Sequence, residues 1–402
     1  MWEQIRSNQI RSAVLVVLMG LLLLAIGYAL GLYFLGSSTY GLILALVVWG
    51  VMNLVAFFRG DSILLGLSKA KKISRDDMPR LYNVVEEMKI ASGLEKMPDI
   101  YIIDDPALNA FATGRNPDKA AVAVTSGLLQ QLNRDELQGV VGHEMAHVKN
   151  RDVLLMAIAG VLLGTIVILA WYASRILFFS GAGGGRRSSS GGGGQGQIII
   201  LIVAIVLMIL APIAAQFIYF GISRKREYLA DASSALYTRY PEGLASALEK
   251  LGASTSQLKS ANKATAPMFI VNPFRKKGRA ATDLSSTHPP ISERIRILRS
   301  MAGGASYFDY EQAYGEVRGK GRRLMPASAI SAAGVVGLRA AEPEGAVEEP
   351  GKLERARETS DLLWRNSNYK TIRCECGTKL RIPPKFKALT IRCPHCGRAN
   401  QV

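Results

Sequence analysis

The chain has 402 residues, of which 49% are hydrophobic and only 20% are charged. This composition excludes a disordered or acidic solvating protein, because such chains lack the apolar side chains that build a core. Lysine and arginine outnumber aspartate and glutamate by 49 to 32, which gives a formal net charge of +17. Because the surplus is spread along the chain, we interpret it first as a signal of membrane topology rather than as a nucleic-acid-binding patch.

Four runs without a charged residue reach or approach the length that crosses a bilayer, at 13–35, 42–58, 153–170 and 198–220. They predict an α-helical membrane protein with about four transmembrane helices. Basic residues border these runs on the segments 59–152 and 224–402. The positive-inside rule therefore predicts a multi-pass protein of the cell membrane, with both termini and both long segments in the cytoplasm. Arginines in the 171–197 connection leave open whether the second hairpin fully spans the bilayer.

Between the hydrophobic runs, the spacing of apolar residues changes from helical to alternating and back again. Asn133 and Asp135 can cap the helix that follows the alternating part. In chain order, the predicted elements are a helical segment at 59–98, strands at 99–103, 109–113 and 120–125, a helix from 133 to about 150, a second amphipathic helix from 224, and a short helix at 291–301. Composition predicts flexible or irregular stretches at 181–197, 252–286 and 331–365.

The segment His143-Glu144-Met145-Ala146-His147 has the form HExxH. On a helix, positions i and i+4 lie one above the other, so both imidazoles can bind one Zn²⁺ from the same face. Glu144 projects beside them and can take a proton from a water and return it to a leaving amine. The alternative is an ordinary amphipathic helix with two surface histidines, although the chain contains only four histidines in total.

A catalytic zinc needs a third protein ligand, and Glu227 can supply it. Glu227 and Asp231 share one helix face at i and i+4, so Asp231 can hold a ligand histidine by its second ring nitrogen. A solvated acidic face is the alternative for this pair. The extended HExxHxxGxxH form is excluded, because Asn150 and Val153 stand where glycine and histidine are required. Polar residues before His143 place the site in water at the membrane face.

Several motifs in order give the chain a family resemblance. They are Asn-Ala-Phe-Ala at 109–112, His-Glu-Met-Ala-His at 143–147, Lys-Asn-Arg-Asp at 149–152, Glu-Tyr-Leu-Ala-Asp at 227–231 and Thr-His-Pro-Pro at 287–290. Together with the membrane hairpin, they resemble the HtpX-like membrane zinc endopeptidases, relatives of the type-I CAAX prenyl proteases. The resemblance covers roughly residues 1–302.

This resemblance implies an α+β gluzincin catalytic domain on the cytoplasmic side, with one Zn²⁺ held by His143, His147 and Glu227. Glu144 is then the general base and acid. The resemblance also implies that Asn109, Ala110 and Phe111 bind substrate, with Asn109 and Ala110 on an edge strand that pairs with an extended backbone. Quality control of damaged membrane proteins is the cellular role that the resemblance suggests.

His288 has two interpretations at this stage. The resemblance suggests a catalytic histidine that steadies the oxyanion of the tetrahedral intermediate, a role in which one donor contributes about 2.7 to 4 kcal/mol. Alternatively, His288 is a structural residue that fixes the turn at Pro289-Pro290. Arg294, one helical turn further on, is predicted to pair with a buried carboxylate.

The four cysteines form two pairs near the end of the chain, Cys374 with Cys376 and Cys393 with Cys396. This spacing resembles a zinc ribbon, in which four thiolates close a structural Zn²⁺ site, although the first pair is one residue shorter than usual. About 30 residues cannot bury a core without a metal. His395 is predicted to be a bystander.

The ribbon is strongly basic, which suits an anionic leaflet, an acidic client or nucleic acid. Since aromatic residues for base stacking are few, nucleic acid is disfavoured. Membrane lipid and protein or peptide substrates are the predicted partners, and the oligomeric state is left open. The predicted units are a first hairpin at 1–58, catalytic parts at 59–152 and 224–330, a second hairpin at 153–223, a linker at 331–365 and the ribbon at 366–402.

Two other functions compete with a zinc endopeptidase. A catalytically idle membrane scaffold whose ribbon recruits a partner gives no reason for a base, ligands and supporting carboxylate together. A transporter with a cytosolic zinc domain is disfavoured further, because the hydrophobic runs hold no charged relay.

Overall fold

The structure is a computed structural model that describes residues 2–183, 194–259, 268–271, 288–301, 303–319, 323–325, 330, 336–339 and 349–402. Its helices are α1 (Trp2–Leu35), α2 (Ser38–Leu67), α3 (Pro79–Ser92), α4 (Ser126–Gln131), α5 (Arg134–Lys149), α6 (Asp152–Gly183), α7 (Gly194–Thr238), α8 (Pro241–Ala253), α9 (Ile291–Arg299), α10 (Tyr307–Arg318) and α11 (Lys352–Asn366). Its strands are β1 (Lys71–Ile73), β2 (Asp99–Ile103), β3 (Ala110–Gly114), β4 (Ala120–Thr125), β5 (Lys370–Arg373), β6 (Lys379–Ile382), β7 (Thr390–Arg392) and β8 (Ala399–Gln401).

Two helical stretches in the described part are long and apolar enough to cross a membrane, Val16–Tyr33 in α1 and Ser38–Leu67. They pack closely because glycines face each other. A Cβ atom built on Gly41 would lie 2.1 Å from the carbonyl oxygen of Gly27. In α6, a shorter apolar stretch spans Val161–Tyr172. The prediction of four complete spans, and of their orientation, stays a prediction.

The catalytic sheet has the strand order β1-β2-β4-β3, with β2 and β4 parallel and the other pairs antiparallel. Every residue of β3 and β4 is buried. Alternate side chains divide between the two faces, so that Val122 and Val124 pack toward α5 while Phe111 and Ala123 pack with α2 and Phe269. A sheet that is covered on both faces explains why these strands are apolar throughout.

Helix α5 carries the HExxH motif through the centre of this domain. Its N-terminus is closed by a capping box, since the Asn133 side chain accepts from the amide of Glu136 and the Glu136 carboxylate accepts from the amide of Asn133. Leu137, Val140 and Val141 are fully buried on it. At Gly139 a Cβ atom would lie 2.6 Å from the amide nitrogen of Leu244, so glycine permits the close approach of α8.

Two sequence predictions need correction. Residues 59–98 are not one helical segment, because α2 continues to Leu67, Lys69 takes a positive φ of 53°, and β1 then joins the sheet before α3 begins at Pro79. Residues 331–365 are not all linker, because α11 begins at Lys352 and its Leu362 is fully buried in the catalytic core. Most of the predicted linker before α11, and most of the stretches 181–197 and 252–286, lie outside the described residues.

Helix α11 attaches the C-terminal module to the catalytic domain. Arg355 is buried and donates to the carbonyl of Gln130, and the carbonyl of Asn366 accepts from Lys71 at 2.8 Å. On the other side, Asp361 pairs with Lys379 and Arg381 of β6. The module itself consists of two hairpins, β5 with β6 and β7 with β8. It is therefore tied to the catalytic domain through α11 rather than suspended on a free linker.

Candidate active site

His143, His147 and Glu227 converge at the point where α5 meets α7. The Nε2 atoms of the two histidines lie 3.2 Å apart, and each lies 3.5 Å from one carboxylate oxygen of Glu227. Helical spacing aligns the two imidazoles, whereas Glu227 comes from a helix 80 residues further along the chain. The three side chains can hold a metal ion, since their ligand atoms all lie within 4.8 Å of one another.

The second ring nitrogen of each histidine faces its own carboxylate. Nδ1 of His143 lies 2.9 Å from Asp231, and Nδ1 of His147 lies 3.1 Å from Asp152. These contacts fix Nδ1–H as the donor, so that both Nε2 lone pairs point at the same place. Two lone pairs and a carboxylate that face one another need a cation between them.

The donor set therefore fits Zn²⁺, which takes two imidazole nitrogens and one carboxylate oxygen in catalytic sites and keeps a fourth position open. Oε2 of Glu227 is buried and makes no hydrogen bond of ordinary geometry in the described structure, as expected for an oxygen that binds a metal. Asp231 and Asp152 supply the supporting carboxylates that such ligands use.

Glu144 is 1% exposed, and neither of its carboxylate oxygens accepts a hydrogen bond of ordinary geometry from the described residues. Burial raises the pKa of Glu144, and nearby positive charge on His143 and His147, together with the backbone amide of Ala112, opposes the rise. A buried carboxylate with a raised pKa and no strong hydrogen bond is suited to accept and release a proton.

Burial and the neighbouring carboxylates have opposite effects on the pKa values of His143 and His147. Burial alone would lower the pKa of His147, but contacts with Asp152 and Glu227 raise it to about 10 in the metal-free protein. Hydrogen bonds to Asp231 and Glu227 likewise outweigh burial and raise the pKa of His143. Protons and metal therefore compete for the same nitrogens.

Arg294 is completely buried and holds Asp231 with two hydrogen bonds, at 2.6 Å and 2.8 Å. This is the contact with a buried carboxylate that the sequence predicts for Arg294. The same guanidinium lies 3.6 Å from Glu227 and donates to the carbonyl of Ile270. Because burial of Asp231 is outweighed by Arg294, the pKa of Asp231 lies below its usual value and the group stays ionised.

His288 belongs to the same cluster, since its Nε2 lies 3.8 Å from Oε2 of Glu227 and its side chain is 5% exposed. Burial lowers the pKa of His288 to about 4, against the opposing charge of Glu227. It is therefore a neutral imidazole at ordinary pH and can donate one N–H. Pro289 and Pro290 follow it directly before α9, so both interpretations of His288 from the sequence remain open.

The expected substrate strand is only partly free. Strand β3 is the edge of the sheet, but Asn109 lies one residue before it and donates from its side chain to the carbonyl of Val271 at 2.9 Å. The carbonyl of Ala110 accepts from the amide of Ile270 at 3.0 Å. Phe111 is buried against Phe269, with ring centroids 5.1 Å apart. The segment 268–271 thus occupies the first part of the edge, and the expectation that Asn109 and Ala110 are open for pairing is corrected.

The four cysteines are brought together without a disulfide. Sγ of Cys374 lies 3.5 Å from that of Cys396, and Sγ of Cys376 lies 3.7 Å from that of Cys393. All four sulfur atoms lie within 4.8 Å of one another. Each pair is followed by a glycine with positive φ, 84° at Gly377 and 73° at Gly397. Hydrogen bonds from Thr378 lower the pKa of Cys376 to about 5, which favours the thiolate.

Sequence reasoning assigned no role to Asp152 or Arg226. Asp152 orients His147, and Nη1 of Arg226 lies 3.4 Å from the other oxygen of Asp152. The available signal was the motif at 149–152, in which an acidic residue follows the second histidine by five positions. Helical periodicity does not predict a contact at that spacing, because the chain turns between α5 and α6.

Comparisons with known proteins identify the family of this chain. The model of peptidase family M48 matches residues 76–302. The Protease HtpX homolog of Dictyoglomus turgidum is 44% identical over 310 residues, which cover 77% of this chain and 98% of that protein. The protein of the same name from Streptococcus pneumoniae is 42% identical over 301 residues, covering 75% of this chain and 100% of that protein.

Among solved structures, the crystal structure of S. mikatae Ste24p is similar with 22% sequence identity and a TM-score of 0.40, and the match covers 74% of this chain and 67% of that one. The family model covers more than half of the chain, and both relatives align over nearly their whole length. The chain therefore belongs to peptidase family M48 and is a membrane-associated metalloendopeptidase.

Proposed function

We propose that the protein is a multi-pass zinc endopeptidase that hydrolyses peptide bonds of unfolded or damaged membrane-associated proteins on the cytoplasmic side. The observation that carries the proposal is the convergence of two histidine nitrogens and the Glu227 carboxylate, with each histidine held by a further carboxylate. Buried Glu144 lies next to them and accepts no hydrogen bond of ordinary geometry from the described residues. A protein that only binds a metal would need the histidines and Glu227 but not Glu144.

The residues divide the chemistry between them. His143, His147 and Glu227 would hold the zinc, which would supply Lewis-acid activation of a water at neutral pH. Glu144 would take the proton of the attacking water and deliver it to the leaving amine, a transfer for which its raised pKa is suited. Neutral His288 would donate its N–H toward the oxyanion that develops on the substrate carbonyl.

The edge strand β3 and the apolar helix α2 beside the site indicate the substrate class. An extended chain that adds to β3 would be bound through its backbone, so recognition would depend little on side chains and would favour unfolded segments. Apolar side chains exposed on α2, including Leu44, Leu54 and Phe58, support an anchor in lipid beside the site. Clients in or near the membrane are then the ones within reach.

The cysteine cluster supports a second, structural Zn²⁺ bound by Cys374, Cys376, Cys393 and Cys396. Such a site has four thiolates and no open position, so it would take no part in catalysis. It would instead stabilise the two short hairpins of the C-terminal module.

The decisive experiment substitutes Glu144→Gln in the full-length, membrane-reconstituted protein. Cleavage of unfolded casein should fall by about 10²- to 10⁴-fold, because proton transfer is lost. Zinc content should stay unchanged, since Glu144 is not a ligand. If the variant cleaved casein at the wild-type rate, the mechanism would be wrong. If the wild-type protein bound zinc but cleaved nothing, the idle scaffold would replace the peptidase.

A further inference from the structure

His147 is oriented by a carboxylate that begins a long apolar helix. Its Nδ1 atom lies 3.1 Å from Oδ2 of Asp152, the first residue of α6. Between α5 and α6, Arg151 takes a φ of +58°, in the left-handed region. This residue ends the continuous helical path, so that Asp152 turns back toward His147 instead of following it along one helix. The side chain of Asp152 is 3% exposed and thus shielded from water.

The other oxygen of Asp152 is held from α7. Nη1 of Arg226 lies 3.4 Å from Oδ1 of Asp152, and Arg226 is 4% exposed. Arg226 immediately precedes Glu227, so two adjacent residues of α7 serve the same centre, one toward the metal position and one toward Asp152. A buried carboxylate that contacts an imidazole on one side and a guanidinium on the other is fixed in position.

The two histidines are supported by equivalent groups in different surroundings. Asp231 and Arg294 hold His143 from α7 and α9, where both helices contribute to the main hydrophobic core. Asp152 and Arg226 hold His147 at the ends of the apolar parts of α6 and α7. Large apolar side chains in these parts are exposed, including Ile168 and Trp171 on α6 and Ile209 and Leu210 on α7. They present a surface suited to lipid tails.

We propose that Asp152 is a positioning residue for His147, and that through Arg226 it couples metal affinity to the packing of α6 against α7 in the bilayer. A shift of either helix would move Asp152 relative to Arg226 and rotate the imidazole away from the metal. The proposal rests on the proposed zinc site, and it adds a membrane dependence to that site that the Asp231 and Arg294 pair does not have.

The positioning role is tested by metal affinity in full-length protein reconstituted in nanodiscs. Co²⁺ titration with visible absorption separates the His-Glu site from the cysteine site, because only thiolates give intense charge-transfer bands. Asp152→Asn should weaken Co²⁺ binding at the His-Glu site by about 10- to 100-fold, as for loss of a carboxylate behind a ligand histidine. Asp152→Glu should recover part of that loss. Unchanged affinity in Asp152→Asn would overturn the positioning role.

The coupling is tested by comparing nanodiscs of short-chain and long-chain phosphatidylcholine, which impose different hydrophobic thickness on the helices. Co²⁺ affinity of the wild-type protein should change between the two. Asp231→Asn, the matched control, should bind more weakly but keep the change, whereas Asp152→Asn and Arg226→Gln should lose it. Equal wild-type affinity in both bilayers, or a change that persists in both Asp152→Asn and Arg226→Gln, would overturn the coupling.

Arg226→Gln also covers the case in which Asp152→Asn fails to fold, because it retains the carboxylate and removes only its partner. Failure of the coupling can be distinguished from failure of the proposed function. Glu144→Gln, which abolishes proton transfer, should show the same Co²⁺ affinity and the same dependence on bilayer thickness as the wild type. A protein that binds no Co²⁺ through histidine in either bilayer would instead contradict the zinc site itself.

Discussion

At the scale of single residues, the site contains several carboxylates, and the side chains that contact each one determine its role. Asp231 pairs with Arg294 and contacts a histidine, and Glu227 lies close to two imidazole nitrogens. Glu144 accepts no hydrogen bond of ordinary geometry from the described residues. Burial is similar for all three, so their neighbours determine which carboxylate stays ionised and which can take a proton.

The ligand and its supporting carboxylate should respond differently to truncation. Glu227→Ala should remove zinc from the catalytic site, because only two protein ligands remain. Asp231→Ala should weaken zinc affinity by only about 10- to 100-fold, since His143 remains in place. Elemental analysis after dialysis against graded chelator concentrations distinguishes the two. Equal zinc retention in both variants would point to another third ligand, and His288 would be examined next.

The metal-free protein should bind zinc more weakly as the pH falls. Carboxylate contacts raise the pKa of both ligand histidines, to about 10 for His147, so protonation of these nitrogens is favoured by the surroundings. A raised pKa means that the protonated form stabilises the metal-free fold below that pKa and that this contribution is lost above it. Zinc binding should therefore release protons, which calorimetry in buffers of different ionisation enthalpy measures. Absence of proton release at neutral pH would contradict these charge states.

At the scale of elements, α5 is held to α8 and α7 by contacts that leave no room for a side chain. A Cβ atom at Gly139 would meet the backbone of Leu244 at 2.6 Å and 2.8 Å. His143, one of the proposed metal ligands, follows one turn later on the same helix. The close contact of Gly139 with Leu244 thus sets both the register of α5 against α8 and the position of His143.

Gly139→Ala should therefore destabilise the catalytic domain by about 1–3 kcal/mol, the usual cost of overpacking against backbone. Gly315→Ala on α10 is the matched control, because a Cβ atom there meets nothing within 4 Å. Alanine at that helical position should be neutral or slightly stabilising. Thermal unfolding in detergent compares the two. Equal melting temperatures would show that α8 can shift without cost.

At the scale of the whole molecule, α11 makes the C-terminal module a fixed part of the enzyme rather than an appendix on a flexible tether. Leu362 is fully buried in the catalytic core, whereas Leu353 on the same helix is 64% exposed. Arg365 donates to the carbonyl of Asp77, and the module is paired to Asp361. The C-terminal hairpins therefore have a defined position beside α3 and β1.

Truncations should separate the helix from the hairpins behind it. A chain ending at 366 keeps α11 and should lose about one of about two zinc ions while retaining its catalytic fold. A chain ending at 348 also loses Leu362, and its melting temperature should fall; Leu362→Ala should cost about 2–5 kcal/mol by itself. Leu353→Ala is the control and should change stability little. A chain ending at 366 that binds zinc but cleaves no substrate would show that the hairpins deliver the client.

Local patterns allow much of the fold to be predicted, and long-range contacts account for most of what is missed. Strands at 99–103 and 120–125 match the structure, and the strand predicted at 109–113 is shifted by one residue, because each is a short apolar stretch between turns. Helix α11 escapes detection because its buried positions include Arg355 and Thr359, which carry no apolar periodicity. Their burial depends on partners in α4 that a local window cannot contain.

The same limit applies to the site. His143, Glu144 and His147 follow from helical spacing alone, and Glu227 with Asp231 from a second helix of the same kind. The pairing of Asp152 with Arg226 joins residues 74 positions apart through a turn, so no periodicity reveals it. The segment 268–271, which occupies the first part of the β3 edge, is a run of four apolar residues inside a polar, basic stretch, and its sequence does not reveal which strand it contacts.

The placement of the third ligand beyond a hydrophobic hairpin has a consequence for how the cell makes this enzyme. His143 and His147 are synthesised before α6, and Glu227 is synthesised only after most of α7. A nascent chain that holds only the first two ligands lacks a complete metal centre. If the proposed zinc site needs all three residues, the newly made chain should gain peptidase activity only after α7 has folded against α5.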